Sequence, residues 1–154
     1  MTYTPFFATS RKLLSPVLVG VLAIGALAMT ASAHADAVLQ AALTGASEVP
    51  PVKTAGTGSV EATLNANTHL LSWTVTYAGL TGPATAAHFH GPAMPGQNAA
   101  VLVPLAGKMT SPMSGSATLT GAQVADLMAG KWYFNVHTSD NPGGEIRGQV
   151  TVRP

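Results

Sequence analysis

Between Leu71 and Tyr77 the chain keeps a strict two-residue rhythm: Leu71, Trp73, Val75 and Tyr77 alternate with Ser72, Thr74 and Thr76. Side chains on a strand point to opposite faces in turn, whereas a helix would need apolar residues three and four apart, so this segment reads as a half-buried antiparallel strand. Val38–Thr44, Gly58–Asn65, Ala84–His90, Ala99–Leu105, Gly115–Leu119, Lys131–Thr138 and Glu145–Val152 read as further short strands, about eight in all. The segments between them are rich in Gly and Pro. Pro50-Pro51 cannot continue a sheet ladder, and Gly91–Asn98 is a loop on its turn chemistry. One helix is expected: Thr120 and Gln123 have the spacing of a capping box, Val124, Leu127 and Met128 form an apolar face, and Gly130 stops it. The pattern predicts an all-β fold, an antiparallel Greek-key β-sandwich with one short helix.

The first 35 of the 154 residues do not share this pattern. Arg11 and Lys12 precede an apolar run from Val17 to Met29, and small residues follow at Ala31, Ala33 and Ala35. That is the layout of a secretory signal peptide, with cleavage expected after Ala33 or Ala35 and a single domain over 36–154. The run falls short of the roughly 20 residues that span a bilayer, so no membrane anchor is expected after processing. Cleavage after Ala33 would leave His34 at the new terminus, where amine and imidazole together chelate copper. Removing Arg11 and Lys12 leaves five of the seven basic residues against six acidic ones, which makes nucleic acid a poor partner. The site of action is expected to be periplasmic or secreted. With no cysteine in the chain, disulfides, thiolate nucleophiles and Cys-bound zinc are all excluded.

His88 and His90 flank Phe89 on a predicted strand, so both imidazoles lie on the face opposite the phenyl ring, about 6.6 Å apart along the backbone. His137 lies on another predicted strand, on the face opposite Phe134 and Val136. Neutral imidazole ligates Cu, Zn, Ni and Fe, so His88, His90 and His137 are the candidate metal ligands. Asn135 shares a face with His137 and could orient an imidazole. Glu145 and Arg147 share a face of the last strand, where they could pair with each other or hold a ligand. Met94 offers a thioether in the adjoining loop, and His69 is a further imidazole available as a fourth ligand.

The chain resembles the chordin-type (CHRD) domain family. The resemblance runs through Ala42–Pro51, Gly82–Pro92, Leu119–Gly130 and Tyr133–Gln149. It implies an extracellular or periplasmic β-sandwich. The role of chordin in binding growth factors leans on cysteine-rich modules absent here and is not carried over. At the level of motif alone, the order of His88, His90 and His137 is also similar to the copper ligands of copper-zinc superoxide dismutase, a Greek-key sandwich too, although no zinc-site run is present. The sandwich is accordingly expected to be immunoglobulin-like or superoxide-dismutase-like.

Copper is the expected cofactor, because imidazole ligation and the Irving–Williams order favour it over zinc. The leading functional expectation is an exported copper-binding protein for buffering or delivery. A second is a metal-free module that docks another exported protein, with the same residues structural. The third is a redox enzyme of dismutase type. Hydrolytic chemistry is not supported: there is no Gly-x-Ser-x-Gly elbow and no paired-acid arrangement among the scattered carboxylates.

Overall fold

The computed structural model describes residues 1–2 and 35–154; most of the stretch read as an export signal, with His34, lies outside them. The described domain has eight strands: β1 (Ala37–Thr44), β2 (Thr57–Leu64), β3 (Leu70–Ala78), β4 (Ala84–His90), β5 (Val101–Pro104), β6 (Met113–Thr118), β7 (Trp132–Thr138) and β8 (Ile146–Val152), with one α-helix, α1 (Gly121–Met128), between β6 and β7 and a single 3-10 turn at Gly45–Ser47 after β1. All pairings are antiparallel, and the strands form one sheet in the order β5-β4-β7-β8-β1-β2-β3-β6. The all-β fold with a single short helix is therefore as expected.

The sheet closes its apolar face upon itself. In β3, Leu71, Trp73 and Val75 are buried while Ser72, Thr74 and Thr76 are exposed, as the alternation requires. Trp73 meets Phe89 of β4 edge-on at 5.1 Å between ring centroids, and Phe89 meets Phe134 of β7 at 4.8 Å. Those contacts join the two halves of the sheet across a core that also holds Leu39, Leu43, Val60, Trp132 and Ile146. Aromatic pairs in this geometry add about 0.5–1.5 kcal/mol beyond the apolar area they bury. The helix is built as its sequence predicts. The Thr120 hydroxyl accepts from the Gln123 N–H at 3.2 Å, the Gln123 side chain accepts from the Thr120 N–H at 2.8 Å, and Leu127 is driven fully into the core.

One glycine is dictated by sheet pairing. A Cβ at Gly148 of β8 would lie 2.1 Å from the Ala42 carbonyl oxygen of β1, so the two strands approach as they do only because no side chain is there. β8 thereby docks between β7 and β1, which puts β4, β7 and β8 side by side with one shared outer face.

Candidate metal centre

Strand parity and register assemble the site. On the outer face His88 pairs with Asn135 and His90 with Tyr133 across β4–β7, while Asn135 pairs with Arg147 and Tyr133 with Gln149 across β7–β8. His137 follows two residues after Asn135 and so shares its face. The three imidazoles converge: one nitrogen from each of His88, His90 and His137 lies within 4.8 Å of the others. His88 Nδ1 and His137 Nε2 are 3.1 Å apart.

The hydrogen bonds fix the polarity of these rings. His90 Nδ1 is 3.0 Å from the Ala99 carbonyl oxygen and His137 Nδ1 is 2.9 Å from that of Pro142. A backbone carbonyl only accepts, so each neutral ring spends its single N–H there and keeps a lone pair on Nε2. Both Nε2 atoms face Asn135 Oδ1, at 3.0 Å from His90 and 2.9 Å from His137. Acceptors thus converge on one another, which a cation between them would satisfy. A proton is a poor candidate for that cation. Burial, followed by the neighbouring His137 and His90, lowers the His88 pKa, and burial dominates in lowering that of His90 despite its bonds to Ala99 and Asn135. Backbone carbonyls that hold the far ring nitrogen are also how metal-binding imidazoles are usually oriented.

The outer face is not open to water as strand parity alone suggests. The segments 45–52 and 91–100 fold over it and are tied together by Asn98 Nδ2 donating to the Val49 carbonyl at 3.2 Å. His90, Asn135 and Arg147 are buried beneath, while His88 is half-buried. Tyr133 lies at the centre of a stack. His90 packs parallel to it at 4.6 Å, and the Arg147 guanidinium sits 3.4 Å from the ring centroid. The strand order β4-β7-β8 puts those two partners on opposite sides of the ring.

Glu145 corrects the expectation of an ion pair with Arg147. It precedes β8 rather than lying on it, turns away from Arg147, and accepts from Thr54 Oγ1 at 2.6 Å, Thr81 N at 2.8 Å, Thr81 Oγ1 at 2.7 Å and Thr138 Oγ1 at 2.7 Å. Burial alone would raise its pKa, but the bonds from Thr54, Thr81 and Thr138 outweigh that and lower it to about 2. Arg147 instead donates to Asn98 Oδ1 at 2.9 Å and to the Gln97 carbonyl at 2.6 Å. His69 is outside the histidine cluster, in the β2–β3 turn, where its carbonyl accepts from Leu119. Met94 is 52 % exposed in the β4–β5 loop, where its N–H donates to the Gln97 side chain.

Glu48 is a site residue that the motifs do not single out. It is buried, its carboxyl faces the Asn135 amide, and burial raises its pKa to about 7 against the pull of Arg147, Asn135 and the Val49 N–H. A Cβ at Gly144, whose φ is +127°, would lie 2.4 Å from Glu48 Oε1 and 2.7 Å from Asn135 Nδ2, so glycine is what lets these groups meet. Tyr133, by contrast, was within reach of the parity argument, since it shares a face with Asn135 and His137.

The profile of the CHRD domain family matches residues 39–150. No curated protein and no solved structure matches the chain.

Proposed function

The chain belongs to the CHRD domain family, an extracellular type of β domain, and we propose that in it His88, His90 and His137 bind a transition-metal ion, copper first. The observation that carries this reading is the pair of Nδ1 atoms tied to backbone carbonyls, which leaves the Nε2 lone pairs of His90 and His137 turned toward His88 and Asn135. The donor set is three imidazoles with one amide oxygen beside them, which suits Cu(II) or Zn(II) and ranks copper higher by intrinsic affinity. Half-buried His88 leaves the cluster an approach for exchange, consistent with buffering or delivery. On this reading the protein is exported after removal of its N-terminal segment, to the periplasm or beyond. Among the described residues no helix is long and apolar enough to cross a membrane.

A second reading has its own observation. With the Asn135 amide rotated end for end, its two N–H groups would donate to both Nε2 atoms and its oxygen would face Glu48, whose raised pKa makes a carboxylic acid donor available. That network needs no metal and would make the site structural, in a module that docks another exported protein.

Copper titration of the purified protein separates the two. One Cu(II) per chain, with nitrogen hyperfine structure in the electron paramagnetic resonance spectrum that disappears in a His88→Ala/His90→Ala double variant, is the expected result. Weak, non-stoichiometric uptake indifferent to the substitutions would leave the structural network.

A further inference from the structure

Beside the histidines lies a cleft of about 430 Å³, walled by Ser47, Glu48, Pro51, Pro95, Arg147 and Gln149. Two of these residues are charged side chains almost wholly removed from water: Glu48 is 5 % exposed and Arg147 2 %. They do not pair. The ion pairs among the described residues are Lys131–Asp126 and Arg153–Glu61, both on the surface. Arg147 has only neutral partners, the Asn98 side chain, the Gln97 carbonyl and the Tyr133 ring, and a guanidinium with five N–H donors is not exhausted by two hydrogen bonds. Glu48 Oε1 is buried without a hydrogen-bond partner against Gly144, while the side chain as a whole forms part of the cleft wall. A buried guanidinium whose hydrogen-bond partners are all neutral and a buried carboxyl that makes no ion pair with it therefore line the same cleft, an arrangement that proteins otherwise avoid.

A ligand with one charge would satisfy one group at the expense of the other. With Glu48 ionised, a simple anion on Arg147 would bring a second negative charge beside it, and a simple amine on Glu48 a second positive charge beside Arg147. A compact zwitterion satisfies both and adds no net charge. The guanidinium fork matches a carboxylate in two parallel hydrogen bonds, and an ammonium donates to the carboxylate of Glu48. The remaining wall, including Val49, Pro51 and Pro95, is apolar and suits a small aliphatic side chain. We infer that this cleft binds a free α-amino acid with a small apolar side chain, its carboxylate on Arg147 and its ammonium on Glu48. The inference is independent of the metal reading, because it uses none of the three histidines.

The test is calorimetric titration of the metal-free protein with L-alanine, and with acetate and methylamine as its two halves. Saturable binding of one L-alanine per chain is expected, with acetate and methylamine at least about tenfold weaker. Glu48→Gln, which is isosteric, should weaken L-alanine at least about tenfold while acetate binds no worse than to the wild type. Arg147→Lys should weaken both L-alanine and acetate. The His88→Ala/His90→Ala variant should keep L-alanine binding, so loss of the metal site and loss of this site are told apart. The absence of saturable heat with L-alanine, acetate binding as tightly as L-alanine, or indifference to Glu48→Gln would each overturn the assignment.

Discussion

Replacing Glu145 by glutamine should cost the fold about 3 kcal/mol at neutral pH and close to nothing near pH 2. The figure follows from a carboxyl that titrates near 2 in the folded protein against an ordinary 4.5. Its structural source is four short bonds donated by Thr54, Thr81 and Thr138 to a side chain with no exposed surface. Glutamine keeps the shape but puts an NH₂ where donors already converge, so at least one hydroxyl loses its acceptor. Because the folded-state value is the lower one, the unfolded chain takes up the proton first as the pH falls. The contribution is complete above 4.5 and is lost progressively as the pH drops toward 2. Urea unfolding of the wild type and of Glu145→Gln, followed by tryptophan fluorescence at several pH values from neutral to about 3, reads the difference directly. The difference isolates Glu145 from every other titrating group. A cost below about 1 kcal/mol at neutral pH, or one that does not shrink on acidification, would refute the reasoning.

If copper binds as proposed, Asn135→Ala should lower its affinity by about 10–100-fold without unfolding the protein, because it removes the amide beside His90 and His137 and spares the imidazoles themselves; competition with a chromogenic chelator measures this. Thr120→Ala removes the helix N-cap and should cost about 1 kcal/mol in urea unfolding, with copper binding unchanged. Gly148→Ala should abolish or severely impair folding, since its Cβ would lie 2.1 Å from the Ala42 carbonyl oxygen, and loss of the folded circular dichroism signal would register it.

The readable parts of this fold are those in which one period governs both pattern and burial. In β3 every second residue is buried, so Leu71, Trp73 and Val75 announce the strand and its inner face. The same rule places His88, His90, Asn135 and His137 on one outer face, and the register of β4 with β7 brings them together. Parity misleads at Glu145, because the rule holds only within a strand and β8 begins at Ile146. It also gives no hint that the outer face is covered. The segments 45–52 and 91–100 lie on it through hydrogen bonds from Arg147 and Asn98, made between residues far apart in sequence. For the same reason β5 starts at Val101 rather than at Ala99: Ala99 directs its backbone to His90 and Tyr133, which removes it from the ladder. Glu48 was hidden because a lone carboxylate before two prolines carries no periodic signal.

The place of β8 in the sheet has a kinetic consequence. This strand, the last of the eight in chain order, is inserted between β7 and β1, and its pairing with β1 spans almost the whole domain. Long-range pairings of this kind come at the cost of closing a long loop, and they set the pace of folding. Until Ile146–Val152 is available, β1 lacks one neighbour, β7 lacks another, and the ribbon cannot shut over Phe89 and Trp73. A chain that lacks β8 therefore has no native state to fall into, and closure of the ribbon is deferred until the last of the eight strands has joined it.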